Sequence, residues 1–338
     1  MPLPAIFGFL GPTLAPEERE LFRATDPLGF ILFGRNIVDP EQVRTLVSDL
    51  RVAVGRADAP VLIDQEGGRV ARLKPPHWRA APPAGRIGAI AAQRGLEHAC
   101  EAARLNSRLL ADDLSSLGID VDCAPVADVP IPEAHEIIGD RAYSSDAFLV
   151  GKIARAAAEG LLEGGVLPVI KHIPGHGRAL ADSHEDLPVV EDRREALDGS
   201  DFAPFRALAD MPWAMTAHVV YTAIDAEHPA TTSPRVISEI IRSHIGFKGV
   251  LVSDDLSMNA LDGDLASRAR AAIGAGCDLA LHCTGIYDEI REVAEALTPI
   301  NDELAGRLFQ ARSMALKPAP FDRKAATARL RELLGEGP

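Results

Sequence analysis

Two short stretches of the chain concentrate the residue types that move protons and attack electrophiles. The first, Lys171 to Leu187, reads KHIPGHGRALADSHEDL and packs three histidines, a lysine and several carboxylates into one segment. Within it Asp182 and His184 stand two apart, where the carboxylate could orient the imidazole for proton transfer. Taken alone, that pair is more simply a solvated loop histidine with an acidic neighbour. The second stretch, VLVSDDLSM from Val250 to Met258, sets Asp254 and Asp255 at the end of a strongly apolar run. One of them could cap the segment that comes after. Side chains alternate along a strand, so only one of the two is expected to aim inward, and the pattern does not say which. Asp64, Arg72, Arg141, Lys171 and His172 supply the charges and hydrogen bonds that grip sugar hydroxyls or anions. Each of them singly is more often a structural ion pair than a ligand contact, and Lys171 could also serve as a Schiff-base lysine.

Residues so far apart in sequence need a scaffold that gathers them. Eight short apolar runs recur between longer stretches of helical spacing: Ala5 to Leu10, Gly29 to Phe33, Pro60 to Asp64, Asp120 to Pro125, Leu167 to His172, Trp213 to His218, Gly249 to Asp254 and Asp278 to His282. Buried parallel strands alternating with crossover helices have this appearance. Helical patterns fall at Pro40 to Val54, Arg94 to Leu117, Ala147 to Glu163, Ser233 to Ser243 and Asp264 to Gly274. The alternation predicts an α/β chain folded as a (β/α)8 barrel of the TIM type. No linker or internal repeat interrupts it. Roughly 55 residues come after the eighth run, too few for a second α/β domain. The expectation is a single domain over 1–338, with C-terminal helices from about residue 289.

In such a barrel the active site lies at the C-terminal ends of the strands. Here those ends carry Gly34, Arg35 and Asn36; Asp64, Gln65 and Glu66; Asp128; Lys171 and His172; His218; Ser253, Asp254 and Asp255; and His282. Seven polar strand ends converging on one rim point to a functional site. The segment after Lys171 is far longer than the roughly 2 to 6 residues usual for such a connection. Gly175 and Gly177 near its root would let the stretch from Gly175 to His184 move and close as a lid.

Composition narrows the partner. With 35 Lys plus Arg against 49 Asp plus Glu the formal charge is −14, and 47% of residues are hydrophobic. The chain is therefore an ordinary globular protein, and its acidity argues against a nucleic-acid binder and for a small-molecule substrate. Cys100, Cys123, Cys277 and Cys283 form no CxxC pair or zinc-finger spacing and read as reduced thiols. There is no basic region before the first apolar stretch and no apolar run near the roughly 20 residues needed to cross a bilayer. Both point to the cytoplasm.

Taken together, IDQEGGRVARL (Ile63 to Leu73), KHIPGHG (Lys171 to Gly177), DSH (Asp182 to His184) and SDDLSM (Ser253 to Met258) resemble one family. The chain is similar to the β-N-acetylglucosaminidases of glycoside hydrolase family 3, of the single-domain cytoplasmic type that recycles peptidoglycan. LFGRN (Leu32 to Asn36) and GDRAY (Gly139 to Tyr143) add to the likeness, which spans the whole barrel. The resemblance implies Asp254 as nucleophile, His184 as general acid and base, and Asp182 as its partner. It implies sugar contacts from Asp64, Arg72, Arg141, Lys171 and His172, with no metal and no cofactor. The implied reaction is removal of terminal N-acetylglucosamine from N-acetylglucosaminyl-anhydromuramyl peptides through a covalent glycosyl-enzyme with retention. A monomer is expected, with no nucleic-acid or membrane partner. Two positions depart from the family pattern: Arg178 replaces an acidic residue, and Ile173 stands where Phe is usual.

Three other readings compete. His172 and His218 on successive strand ends suggest a metal-dependent amidohydrolase, although the first strand, IFGFLG, lacks that class's HxH. Within the family, a neutral His acid would also suit phosphorolysis, because it repels phosphate less than a carboxylate does. A silent sugar-binding protein would have no use for a nucleophile.

Overall fold

The computed structural model describes residues 1–183, 186–318 and 320–336. Strand β1 (Leu3–Phe7) leads through helix α1 (Pro16–Thr25) to β2 (Pro27–Leu32), and α2 (Pro40–Ala53) leads to β3 (Val61–Ile63). Helices α3 (Ala84–Arg94) and α4 (Leu96–Ser115) precede β4 (Val121–Asp122), and α5 (Ala147–Glu163) precedes β5 (Leu167–Ile173). Next come β6 (Val189–Val190), α6 (Arg194–Gly199), α7 (Phe202–Ala207), β7 (Trp213–Thr216) and β8 (Val220–Tyr221). A helical segment, Val236–His244, connects to β9 (Val250–Asp255), and α8 (Leu265–Ala275) connects to β10 (Leu279–His282). Helices α9 (Tyr287–Glu295), α10 (Asp302–Ser313) and α11 (Arg323–Leu333) complete the chain.

Eight strands pair in parallel in the order β1-β10-β9-β7-β5-β4-β3-β2 and close on themselves. This is a (β/α)8 barrel, with each of the eight apolar runs supplying one stave. Covered by helices outside and side chains inside, the staves have no wet face, so every residue of β2 and β5 is buried. The helices are amphipathic in the complementary sense. Helix α2 buries Val43, Leu46, Val47, Leu50 and Ala53 at helical spacing, while Asp39 caps its start by accepting from the Glu41 and Gln42 amides at 2.9 Å each.

Several elements differ from expectation. The helical pattern of Arg94 to Leu117 is split by Gly95, whose φ of +95° ends α3 and starts α4. Helix α3 itself packs closely on the segment that carries Arg141: a Cβ on Gly88 would lie 1.6 Å from the Tyr143 carbonyl oxygen. Strands β6 and β8 form a separate parallel ribbon outside the barrel, each too short to carry a periodic signal. At the other end of the chain, α11 is fastened to α4. Arg329 grips Glu101 with two bonds of 2.8 Å, and Arg323 reaches Asp112 at 2.8 Å and Asp113 at 2.6 Å. Among the described residues no helix is long and apolar enough to cross a membrane.

Two irregularities of pairing lie at the C-terminal tips of staves. The β5–β7 register shifts between Lys171 and Ile173, and the β9–β10 register shifts between Leu279 and Leu281, opposite the end of β9. Such slips break the strict in-and-out alternation of side chains.

Candidate active site

Asp64, Arg72, Arg141, Lys171, His172 and Asp254 line a single cleft of about 220 Å³ at the C-terminal rim, together with Ser183 and His176. Six of the eight residues singled out in the sequence are thus brought together. Asp182 does not line the cleft, although the next residue, Ser183, does. The Asp182 carbonyl accepts from the Asp186 amide at 2.9 Å. His184 lies outside the described residues.

One side of the cleft is an ion cluster. Lys171, at the end of β5, places Nζ 2.7 Å from Asp64 Oδ1 and 2.7 Å from Glu66 Oε1. Arg72 donates to Asp64 Oδ2 at 3.1 Å, and Arg141 grips both oxygens of Glu66 at 2.8 and 2.9 Å. Burial alone would lower the Lys171 pKa, but Asp64 and Glu66 outweigh it and hold the ammonium above its ordinary range. Burial likewise tends to raise both carboxyls, and the cations outweigh it, so Asp64 and Glu66 sit below the usual carboxylate range. A lysine held so firmly as a cation is unsuited to attack a carbonyl as a free amine, which removes the Schiff-base reading. Glu66, an unassigned strand-end residue in the sequence, is a full member of this cluster. Gln65 between the two carboxylates braces it by accepting from the Arg72 and Leu73 amides at 2.8 and 2.9 Å. Beneath it, Asp122 at the end of β4 accepts from the Gln65 amide at 2.9 Å, and burial pushes its carboxyl up to about 7.

His172 is oriented from behind. Asp128 accepts from its backbone amide at 3.1 Å and meets its Nδ1 at 2.7 Å, which leaves Nε2 for the cleft. The same carboxylate accepts from the His176 amide at 2.7 Å. Burial, reinforced by His172, pushes the His176 imidazole down to about 4, so it stands neutral in the cleft wall. Lys171 and His172 are adjacent yet both line the cleft, at the point where the β5–β7 register shifts.

The same applies to Asp254 and Asp255, which both line the cleft, contrary to the strict alternation expected from sequence. The slip opposite the end of β9 permits it. Their bonding separates them. Asp255 is committed to local structure, accepting from the Ser257 amide at 3.0 Å, the Ser257 hydroxyl at 2.6 Å and the Cys283 amide at 3.1 Å. Asp254 accepts from the Asp255 amide through Oδ1 at 2.8 Å, and among the described residues no donor reaches its Oδ2. Burial tends to raise its pKa, but His172, the Asp255 amide and Lys171 outweigh it, and the carboxyl lies below its ordinary range. An ionised, nearly buried carboxylate with one oxygen turned to the cleft can attack an electrophilic carbon.

The long segment after β5 is pinned at its root. A Cβ on Gly177 would lie 2.0 Å from the Val129 carbonyl oxygen, and the Gly177 and Ala179 carbonyls accept from the Ile131 and His135 amides. Arg178 points away from the cleft to Asp201 at 2.7 Å and Asp192 at 3.0 Å. These contacts join the root of the segment, Gly177 to Ala179, to the stretch 129–135 and to Asp192 and Asp201. The motif residues Arg35 and Asn36 clamp the rim. Arg35 donates to the Phe9 and Cys283 carbonyls, and Asn36 to the Phe9 and Gly11 carbonyls.

The layout required by the amidohydrolase reading is not assembled. Both ring nitrogens of His218 are engaged, with Thr231 and with the Asp255 carbonyl, and His172 Nδ1 is engaged with Asp128. Among the described residues no group of three or more His, Cys, Asp or Glu is placed to hold a metal ion.

Comparison with known proteins agrees with this geometry. Residues 12–308 match the sequence model of the Glycosyl hydrolase family 3 N terminal domain. The Beta-hexosaminidase of Alkalilimnicola ehrlichii is 41% identical over 289 residues, 83% of this chain and 80% of that protein. The Beta-hexosaminidase of Bordetella parapertussis is 37% identical over 304 residues, 88% of this chain and 85% of that protein. Among solved structures, NagZ from Neisseria gonorrhoeae in complex with N-trifluoroacetyl-D-glucosamine superposes with a TM-score of 0.89 at 33% identity, covering 98% of both chains.

Proposed function

The chain belongs to glycosyl hydrolase family 3 and is a β-N-acetylhexosaminidase, and on that premise we propose that it removes single, non-reducing terminal N-acetylglucosamine residues with retention at the anomeric carbon. The observation that carries this reading is Asp254: ionised, almost buried, one oxygen free, opposite a cluster of fixed charges suited to sugar hydroxyls. At about 220 Å³ the cleft is smaller than the roughly 300–1,000 Å³ of drug-sized sites, which favours one sugar ring over an oligosaccharide.

In the proposed mechanism Asp64, Arg72, Arg141, Lys171 and His172 hold the sugar. Asp254 attacks the anomeric carbon and forms an ester bond as the bond to the leaving oxygen breaks. His184, oriented by Asp182, gives its proton to that oxygen. A water then attacks the same carbon, returns a proton to His184, and the ester bond breaks to restore Asp254. An imidazole acid, with an unperturbed pKa of about 6.5, can cycle near neutral pH without adding a negative charge beside an anionic leaving group. The natural substrates in this reading are N-acetylglucosaminyl-anhydromuramyl peptides, on the strength of the motifs shared with the peptidoglycan-recycling enzymes. A monomer in the reducing cytoplasm is part of the same proposal, and four free cysteines are in keeping with it.

The test is release of 4-nitrophenol from its β-N-acetylglucosaminide by wild type and by Asp254→Ala, each with and without EDTA. Activity that survives EDTA and falls by about 10³-fold or more in the variant is expected. An inactive wild type, or activity abolished by EDTA, would overturn the reading. Formation of a sugar phosphate on adding phosphate would replace hydrolysis by phosphorolysis.

A further inference from the structure

Behind Asp254 lies a chain of hydrogen bonds built from side chains that are wholly buried and do not line the cleft. Thr216 ends β7, His218 follows it, and Thr231 belongs to the turn Ala230–Thr232; all three are 0% exposed. The Asp254 amide donates to Thr216 Oγ1 at 3.3 Å. Thr216 Oγ1 and Thr231 Oγ1 are 2.7 Å apart, and Thr231 Oγ1 is 2.7 Å from His218 Nδ1. His218 Nε2 is 3.0 Å from the carbonyl oxygen of Asp255.

The acceptors at the ends of this chain constrain its protons. A carbonyl oxygen only accepts, so His218 Nε2 carries a hydrogen. A neutral imidazole has a single N–H, so its Nδ1 accepts, and the donor within reach is the Thr231 hydroxyl, whose proton is shared with the Ala217 carbonyl oxygen 3.1 Å away. With its proton spent, Thr231 Oγ1 accepts from Thr216, whose own oxygen accepts from the Asp254 amide. Burial pushes the His218 pKa down despite the nearby Asp254 and Asp255, which keeps the ring neutral. The contacts connect the amide of Asp254 through two hydroxyls and one imidazole to the carbonyl of Asp255. The Asp255 amide, between those two ends, donates to Asp254 Oδ1. The polar backbone groups on both sides of the attacking carboxylate are thereby fixed by one circuit.

We propose that Thr231 and His218 are positioning residues for Asp254: their hydrogen-bond circuit sets the backbone around that carboxylate so that its free oxygen is aimed into the cleft. The inference rests on Asp254 being the nucleophile. A misaimed nucleophile costs rate in the chemical step and leaves the ion cluster that holds the sugar untouched, so the effect falls on kcat and spares KM.

The experiment compares wild type, Thr231→Val and Thr231→Ser on 4-nitrophenyl β-N-acetylglucosaminide, and tracks labelling of Asp254 by a slow fluorinated N-acetylglucosaminide through intact-protein mass. The valine has the shape of threonine without the hydroxyl, and the serine restores the hydroxyl. Thr231→Val is expected to lose about tenfold or more in kcat and in labelling rate, with KM within about twofold, and Thr231→Ser to recover most of the loss. Wild-type kcat in Thr231→Val, or a rise in KM with kcat unchanged, overturns the proposal. If Thr231→Val does not fold, His218→Gln carries the same expectation of a kcat loss at constant KM, and normal kcat there is equally fatal. A wild type that is active but never labelled at Asp254 instead overturns the assignment of the nucleophile.

Discussion

Lys171 shows how one side chain can serve both binding and stability. It is 3% exposed and stands between two carboxylates that are themselves gripped by Arg72 and Arg141. Lys171→Met removes the shared cation and leaves Asp64 and Glu66 close together in a site that water barely reaches. Breaking such a pair by removing one partner typically costs about 3–5 kcal/mol. The expected outcome is a lower denaturation midpoint together with a KM raised well beyond any change in kcat. A variant of normal stability would mean that water enters and screens the pair. The sequence showed Asp64, Arg72, Arg141 and Lys171 as candidates because they stand at strand ends or in motifs. It did not show that Glu66 joins them, or that Asp128 orients His172, because those pairings span 75 and 44 positions along the chain. Only the closed barrel brings them into contact. The choice between Asp254 and Asp255 was hidden for a related reason, since it depends on amides of Ser257 and Cys283 occupying one of them.

At the level of elements, the connection after β5 divides into a fixed root and an outer part that bears Asp182 and Ser183. Gly177 lets the root pass against the Val129 carbonyl, where a Cβ would lie 2.0 Å from the oxygen. Gly177→Ala must therefore push the root aside and displace the outer part with it. A shift of about 1 Å at a catalytic group can cost roughly 10²-fold in rate. A fall in kcat of that order, with the fold retained by circular dichroism, is the expected result; unchanged kcat would separate the root from catalysis. Arg178, the departure from the family pattern, belongs to this root through Asp201 and Asp192 and has no place in the cleft lining. The apolar runs announced the eight staves because burial on both faces demands continuous hydrophobicity. The break at Gly95 and the ribbon of β6 and β8 were less legible. A single glycine within an alanine-rich helical pattern is a weak stop signal, and two-residue strands are defined by their partner rather than by their own composition.

For the whole molecule, Asp122 predicts an unusual dependence of stability on pH. Its folded pKa of about 7 lies above the ordinary 3.8, so the folded state keeps a proton that the unfolded chain has lost. Stability from this group is complete below the ordinary value, declines as pH rises between the two, and is gone above about 7. Asp122→Asn removes the titration, so its denaturation midpoint should fall less than that of wild type between about pH 5 and 7. Parallel curves for the two proteins would show that another group controls this range. The lowered carboxyls Asp64, Glu66 and Asp254 act in the opposite sense, and their contribution is lost only as pH falls below the usual carboxylate range.

The slips in pairing at the tips of β5 and β9 limit how this rim can change. A regular stave presents one inward side chain at its tip, whereas β5 and β9 each present two neighbours, Lys171 with His172 and Asp254 with Asp255. Restoring regular pairing on either stave would turn one member of the couple into the dry layer between barrel and helices, where a charged or imidazole group has no solvent to satisfy it. The spacing of the backbone and the identity of the side chains are therefore inherited as one unit. A change of pairing at either tip would alter which of two neighbouring side chains reaches the cleft.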